Sequence, residues 1–428
     1  MTTLETSTTG AVVGAAGPRR SWRVVWIYGV LTAIALVVLV GFARPGVARF
    51  GLATGSDFVQ LPEVVLPGLA TGIVVALVAI ACTVAAVLLR RRDRHQPLWL
   101  PVVFAVALVV GLLTWATTGA GQSVPLPGLL GGSLALAVPL IFGALGGVIS
   151  ERVGVVNVAI EGQLLAGAFT GAVVASLTRS LIVGLVAAMV AGMLVSFVLA
   201  AFAIKYLVDQ VIVGVVLNVL VLGLTNFLYT LVLVPASATL NSPPQFSPIA
   251  IPVLSAIPVL GPVLFRQTVI VYLMYLGVVA VTIGLFRTKW GLRLRAVGEH
   301  PQAADTVGIS VGGTRFWNVS LAGAIAGLGG AYLTLASVPS FTRDVTSGAG
   351  FIALAAVIFG QWNPVKATLA ALLFGFASNL QNVLGIVGSP VPPDFLLMLP
   401  YVVTIFAVAG LVGQVRGPAA AGRPYIKG

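Results

Sequence analysis

Residues 150–169, SERVGVVNVAIEGQLLAGAF, join a charged pair to an apolar run that contains an amide and a carboxylate. Glu151 and Arg152 begin the stretch, and Asn157 and Glu161 lie in its apolar part, four residues apart. If this part is helical, that spacing places both side chains on one face. An ionisable group within a membrane segment is costly and usually faces a cavity or a partner. The stretch therefore predicts a membrane segment with a functional polar face.

The composition of the whole chain excludes a soluble globular fold. Of its 428 residues, 59% are hydrophobic and only 8% are charged, whereas a soluble domain carries roughly a quarter charged residues. Runs such as residues 24–43 are long enough to cross about 30 Å of hydrocarbon as helices. Because a helix satisfies its own backbone hydrogen bonds and no barrel-type alternation is present, we predict an all-α polytopic membrane protein.

Twelve apolar segments are predicted to span the membrane. The tenth of them, 349–362, is short for a full crossing and either crosses while tilted or re-enters. The predicted spans are 24–43, 66–89, 99–118, 128–149, 155–177, 181–204, 211–234, 267–286, 317–338, 349–362, 364–385 and 395–413.

The net charge of +12 is explained by the orientation of these spans rather than by binding to nucleic acid. Basic residues concentrate in loops that face the cytoplasm. Placing the N- and C-termini in the cytoplasm leaves few basic residues on the other side, and the opposite orientation reverses the imbalance. The basic residues that would then lie outside are Arg44, Arg49, Arg179, Arg266 and Arg343.

The loop at residues 287–316 is polar and basic and lies on the cytoplasmic side in this topology. Pro301 suits the first position of a short helix, and Gly308 is suited to end it. A short helix between two spans is a suitable docking element for another protein. The alternative is an ordinary cytoplasmic loop that follows the charge rule.

Three motifs give the chain a resemblance to a known family. GLRLRAVGEHPQAADTVGI (291–309) resembles the coupling loop of bacterial ABC-importer permeases that serve branched-chain amino acids, ribose-type sugars and nucleosides, although His300 stands where asparagine is common. ERVGVVNVAIEG (151–162) is similar to a motif of the nucleoside-type branch, and FIALAAVIFGQWNP (351–364) is similar to a late motif of the family. The resemblance covers roughly residues 99–413. In the coupling loop it falls on Gly291, Arg295, Gly298, Pro301, Ala303, Ala304 and Gly308.

The resemblance implies a multi-pass protein of the bacterial inner or plasma membrane, with a ten-helix importer permease core at residues 99–413. Residues 24–98 would then hold two additional N-terminal transmembrane helices, and residues 1–23 and 414–428 would be cytoplasmic tails. Transporter cores of this kind often contain inverted repeats whose interrupted helices meet near the midplane. Residues 155–169 and 349–362 are the interrupted segments that fit this expectation, since charged pairs precede them on opposite sides.

The function implied is that of a permease subunit, not an enzyme, which forms half of the path for a small polar solute. Nucleosides are the first expectation, with ribose-type sugars and branched-chain amino acids as alternatives. The chain contains no phosphate-loop motif, so a separate ABC ATPase subunit would bind ATP and Mg²⁺, and no cofactor is expected in this chain. A second homologous permease and an extracytoplasmic solute-binding lipoprotein or protein would complete the importer. The candidate residues of the solute path are Asn157, Glu161, Asn218 and Asn379.

Two other classes of protein compete with this interpretation. An ion-coupled secondary transporter would explain twelve spans and would use Glu161 as a proton carrier. An integral membrane enzyme would need a cluster of acids, histidines or a cysteine, but the acids are scattered and Cys82 is the only cysteine. Glu161 also has a purely structural alternative, in which it hydrogen-bonds to a neighbouring helix and fixes the packing.

Overall fold

A computed structural model describes residues 22–53, 60–94, 96–97, 99–389, 391–392, 394–395, 398 and 417–427 of the chain. It divides into two compact units. The first unit comprises residues up to Arg44 together with Gly68–Trp115, and the second comprises Pro45–Pro67 and the chain from Ala116 onward.

Three helices build the first unit: α1 (Arg23–Ala35), α2 (Gly68–Arg91) and α3 (Trp99–Thr117). Helix α1 continues as a π-helical turn at Leu36–Gly41. The ring of Tyr28 packs on that of Phe104 with 4.4 Å between centroids, and Cys82 is buried in the same cluster.

Short strands belong to the second unit and were not predicted from the sequence. β1 (Val47–Gly51) pairs antiparallel with β2 (Val64–Pro67), with Val47 opposite Pro67, and parallel with β3 (Val124–Pro125), with Phe50 opposite Val124. A second pair joins β4 (Ile249–Ala250) to β5 (Arg266–Gln267).

Twelve α-helices are found in the described part of the second unit. They are α4 (Leu126–Arg152), α5 (Ile160–Thr178), α6 (Leu181–Ala200), α7 (Gln210–Leu228), α8 (Ser237–Leu240), α9 (Leu260–Leu264), α10 (Val269–Arg287), α11 (Lys289–Glu299), α12 (Pro301–Thr306), α13 (Val311–Tyr332), α14 (Ala349–Phe359) and α15 (Pro364–Val387). Helices α6, α7 and α13 each continue into a π-helical turn, at Ala201–Lys205, Tyr229–Leu233 and Leu333–Ser337.

Helices α4 and α13 form the centre of this unit. Helix α4 packs against α13, α14 and α15, and α13 packs against α4, α5 and α6. The backbones of α5, α6 and α13 approach closely because small residues line the contact: a side chain at Gly327 would clash with the backbone of α6, and one at Gly167 would clash with Gly327. Such contacts between small residues are a principal means of helix association in lipid.

Ten helices among the described residues are long and apolar enough to cross a membrane. They confirm the all-α polytopic architecture and ten of the twelve predicted spans. The predicted span 349–362 is the 11-residue helix α14, whose length of about 16 Å is half of what a crossing needs. The predicted span 395–413 falls almost entirely outside the described residues. The predicted segment 155–177 was wrong at its start, because α5 begins only at Ile160.

Candidate functional site

The chain between α4 and α5 is not helical at residues 153–159, which we call the first break. The break begins at Gly154, whose φ of +92° is the left-handed conformation that glycine adopts without steric cost. Interrupting a helix inside the unit leaves backbone N–H and C=O groups that must find other partners. Side chains of α7 are the partners of several of these backbone groups.

Asn218 of α7 binds the last part of the first break and the first turn of α5. Its Oδ1 accepts a hydrogen bond from the N–H of Gly162 at 2.8 Å, and its Nδ2 donates to the carbonyl of Val158 at 2.8 Å. At the start of α7, Gln210 Oε1 accepts from the N–H of Val156 at 2.7 Å. Asn218, a predicted path residue, therefore pairs with backbone groups that the break leaves without helical partners. Gln210, which sequence reasoning missed, does the same.

Asn157 lies inside the first break and is fully buried. Its amide pairs reciprocally with that of Gln163, at 3.1 and 3.0 Å, and Gln163 also donates to Ser196 Oγ of α6 at 2.9 Å. The prediction that Asn157 and Glu161 share a helical face was wrong, because Asn157 precedes the first residue of α5. Gln163, a polar side chain in an apolar helix, gave the same signal as Asn157 but was not selected.

Residues 338–348, which we call the second break, precede α14. Glu161, in the first turn of α5, accepts hydrogen bonds from the end of this second break and the start of α14. Its Oε1 accepts hydrogen bonds from Thr346 Oγ1 at 2.5 Å and from the N–H of Gly348 at 3.0 Å, and its Oε2 accepts from the N–H of Gly350 at 2.6 Å. Only 8% of Glu161 is exposed.

These three bonds place the carboxylate of Glu161 at the N-terminus of α14. The unpaired N–H groups of a helix N-terminus need acceptors, and here the carboxyl oxygens of Glu161 supply them. Thr346 is a further residue of the site that sequence reasoning missed. A single threonine in a loop gives no signal in the sequence.

The far end of α14 lies beside the end of α4. Trp362 Nε1 donates to Glu151 Oε2 at 2.5 Å, and Arg152 Nε donates to the carbonyl of Trp362 at 2.9 Å. Helix α14 thus starts beside Glu161 and ends beside Arg152. A Cβ on Gly147 would meet Val357 and Ile160, and one on Gly143 would meet Ala353 and Leu164. Helices α14 and α5 therefore run in opposite directions along the same part of α4, as interrupted helices of inverted repeats are expected to do.

Asn379, the fourth predicted path residue, is not brought together with the other three. Its Nδ2 donates to the carbonyl of Leu129 at 2.7 Å, which joins α15 to the first turn of α4. A side chain at Gly132 would clash with it. Asn379 is therefore a helix–helix contact remote from both breaks.

Helices α11 and α12 occupy the predicted coupling loop. As predicted, Pro301 is the first residue of the short helix α12, which ends before Gly308 with its φ of +83°. Arg295 Nε donates to the carbonyl of Gly291 at 3.3 Å, and its guanidinium lies 5.4 Å from the centroid of the Phe286 ring.

The residues predicted to couple to an ATPase divide into two groups by burial. Gly291, Gly298, Pro301 and Ala304 are buried against the helices above them, and a side chain at Gly298 would clash with the last carbonyl of α4. Ala303 is exposed, as are Val307 and Gly308. The buried residues hold α11 and α12 against the rest of the unit, and the exposed ones lie on its surface.

No group of three or more His, Cys, Asp or Glu side chains that could hold a metal ion is found in the part of the chain that the structure describes. The side chains that bond at the two breaks are amides, hydroxyls and the carboxyl group of Glu161.

Comparison with known proteins relates the chain to transport permeases. Residues 129–408 match the family described as branched-chain amino acid transport system / permease component. The guanosine ABC transporter permease protein NupQ of Bacillus subtilis is 43% identical over 314 residues, which are 69% of this chain and 95% of that protein. The nucleoside ABC transporter permease protein NupC of Lactococcus lactis is 38% identical over 306 residues, with the same shares covered.

A further relative bears on the choice of solute. The putative glucose ABC transporter permease protein TsgC13 of Haloferax volcanii is 39% identical over 254 residues, which are 59% of this chain and 77% of that protein. No solved structure matches the chain. Because the family match covers most of the chain and two relatives align over nearly their whole length, this chain belongs to the branched-chain amino acid transport system permease family.

Proposed function

We propose that this chain is the permease subunit of an ATP-driven importer and forms half of a path for nucleosides. The named functions of the guanosine and nucleoside permeases, at 43% and 38% identity, support the solute class. The glucose permease relative keeps sugars as the second candidate. Nucleosides and sugars share one property: both are uncharged, polar molecules.

The contact of Glu161 with α14 is the structural observation that favours an uncharged solute. In transporters with broken helices, a half-helix N-terminus that faces the solute site binds the carboxylate of an amino acid. Here the chain's own carboxylate takes the donors of Thr346, Gly348 and Gly350. A second carboxylate would find these donors already occupied. This arrangement argues against branched-chain amino acids and for neutral solutes.

Uptake of labelled solutes by cells with and without the gene tests the solute class. We expect loss of guanosine uptake, with leucine uptake unchanged, when the gene is removed. A second comparison, in which the cells also lack an ATP supply but keep their proton gradient, separates an importer from an ion-coupled transporter. Retained guanosine uptake in cells without the gene would contradict the nucleoside assignment, and lost leucine uptake would contradict the charge argument.

The partners follow from the same proposal. The chain has no phosphate-loop motif, so an ABC ATPase would dock on the surface around Ala303, with both termini on the same, cytoplasmic, side. A second homologous permease would complete the path, and an extracytoplasmic solute-binding protein would deliver the solute. A Lactococcus relative named as a second nucleoside permease, NupB, is 27% identical over 146 residues, which supports the pairing of two permeases.

Docking is tested by replacing the exposed alanine rather than the buried one. Ala303→Glu places a charge on the coupling surface without disturbing packing, whereas Ala304, only 3% exposed, would disrupt the fold itself. We expect Ala303→Glu to reduce co-purification of the ATPase. Ala238→Glu, at an exposed position in the short helix α8, is the matched control. Equal recovery of the ATPase with both variants would contradict the docking surface.

A further inference from the structure

Residues 417–427, the C-terminal strap, lie against the predicted coupling helices. The backbone N–H of Ala420 donates to the carbonyl of Gly298 at 2.9 Å, and that of Ala419 donates to Glu299 Oε2 at 3.2 Å. Both acceptors are in the last turn of α11. Ala420 is only 5% exposed, so this part of the strap is packed into the unit.

The strap also contacts the first break. A Cβ placed on Gly154 would lie 2.9 Å from Arg315 Nη2 and 3.3 Å from the carbonyl oxygen of Ala420. A Cβ on Gly422 would lie 3.7 Å from a methyl group of Val156. The same short segment thus contacts α11 on one side and the start of the first break on the other.

Arg315 of α13 connects the strap to the interior. It is 1% exposed, and its Nη1 donates to the carbonyl of Arg423 at 3.0 Å. Its Nε and Nη2 have no hydrogen-bond partner among the described residues. A buried cation is costly unless it is paired, so the strap carbonyl is its one strong contact in this part of the chain. The position of Arg315, beside Gly154, therefore depends on the strap.

The outer part of the strap is less tightly packed. A cavity of about 630 Å³ lies between the strap and the α12–α13 connection, lined by Asp305, Ser310, Arg315, Tyr425 and other residues. Tyr425 of the strap and Asp305 of α12 both line it. Such a cavity gives the strap and α12 room to shift relative to α13.

We propose that the C-terminal strap is a positioning element of the transport cycle, which joins α11 and α12 to the first break through Ala420 and Arg315. A displacement of the coupling helices then moves the start of α5 directly, in addition to any movement passed through α10 and α13. The inference rests on the proposed function, because the displacing force would come from the ATPase.

A chain ending at residue 416, assembled with its ATPase and partner permease in proteoliposomes, tests the strap. We expect the ATPase to remain bound, because the surface around Ala303 is intact, and ATP hydrolysis to continue. Guanosine uptake should fall by about tenfold, within the range usual for coupling between distant sites. Uptake at the full rate by the shortened chain would overturn the proposal.

Hydrogen exchange of the purified chain gives a readout that does not depend on transport. Removing the strap should speed exchange of the Val156 and Gly162 amides in and beside the first break, and leave that of the Gly350 amide unchanged. If exchange is unaltered at all three, the strap does not position the break. If instead the intact complex takes up no guanosine with ATP, the proposed function fails while the exchange result still decides the strap.

Point variants separate positioning from folding. Arg315→Met removes the buried cation and the bond to Arg423, and should reduce uptake about as much as the truncation, with no further loss when the two are combined. Arg315→Lys should restore part of the uptake. Ile426→Ala, at a position 73% exposed, is the control and should transport normally. Additive losses from Arg315→Met and the truncation would show that they act separately and would overturn the linkage.

Discussion

The helices that follow the two breaks of the second unit are held by different chemistry. After the first break, the amide of Asn218 binds the carbonyl of Val158 and the N–H of Gly162 in the first turn of α5. At the second break, the amide of Asn241 likewise binds the N–H and the carbonyl of Phe341, at 2.7 and 2.9 Å, but the N–H groups of Gly348 and Gly350 at the start of α14 are satisfied by the carboxylate of Glu161. A donor paired with a carbonyl thus takes an amide, which both accepts and donates, whereas donors alone take a carboxylate.

The comparison also assigns different roles to the polar side chains. The amides of the first break bind groups of their own neighbourhood and of α6 and α7, whereas Glu161 connects two segments that are 185 or more residues apart in the chain. Separating α5 from α14 would break every bond that Glu161 makes. It would leave the bonds of Asn218 intact, since these join α7 to Val158 of the first break and to Gly162 of α5.

The largest effect is expected at Glu161. Glu161→Leu leaves three buried donors unpaired, and at about 1 kcal/mol or more for each the free energy of unfolding should fall by at least about 3 kcal/mol. Glu161→Gln keeps one acceptor oxygen and should lose roughly half as much. Denaturant unfolding in detergent micelles measures both. A loss for Glu161→Leu no larger than that for Asn218→Leu would remove the distinction between the two breaks.

An intermediate effect is expected at Asn218. Asn218→Leu leaves the N–H of Gly162 and the carbonyl of Val158 unpaired, which should cost about 2 kcal/mol of unfolding free energy. Asn226→Leu on the same helix is the matched control, because the buried Oδ1 of Asn226 has no hydrogen-bond partner among the described residues. That control should change stability by less than about 0.5 kcal/mol. Equal losses at both positions would mean that Asn218 contributes only its volume.

The smallest effect is the coupling between Asn157 and Gln163. Their reciprocal bonds should give a coupling energy of about 1 kcal/mol in a double-mutant cycle of Asn157→Ala and Gln163→Ala. The cycle of Asn157→Ala with Asn379→Ala should give a value near zero, because Asn379 binds Leu129 instead. If the coupling energy between Asn157 and Asn379 is as large as that between Asn157 and Gln163, the reciprocal bonds do not account for the coupling, and the prediction is wrong.

The sequence predicted most of the fold, because a membrane span is a local property of composition and length. It predicted the start of α12 at Pro301 and its end before Gly308 for the same reason: both depend on the conformational limits of single residues. It also identified Asn157, Glu161 and Asn218 as polar groups that needed an explanation.

The partners of those groups could not be predicted. Periodicity suggested a helix through Asn157, but the chain bends at Gly154 and a helix begins only at Ile160, so spacing along the chain did not give proximity in space. The bond between Glu161 and Thr346 joins parts of the chain that only the packing of α4, α13 and α14 brings together. The small sheet was missed because its strands are two to five residues long.

That sheet bears on whether the N-terminal region could be removed. β3 lies just ahead of α4, and its partner β1 comes from residues 47–51, well before the predicted core begins at residue 99. A chain shortened to start there would lose β1 and β2 together and leave the β3 edge without its backbone partners. Residues 45–67 therefore belong to the unit that contains both breaks. A shortened permease would have to retain β1 and β2.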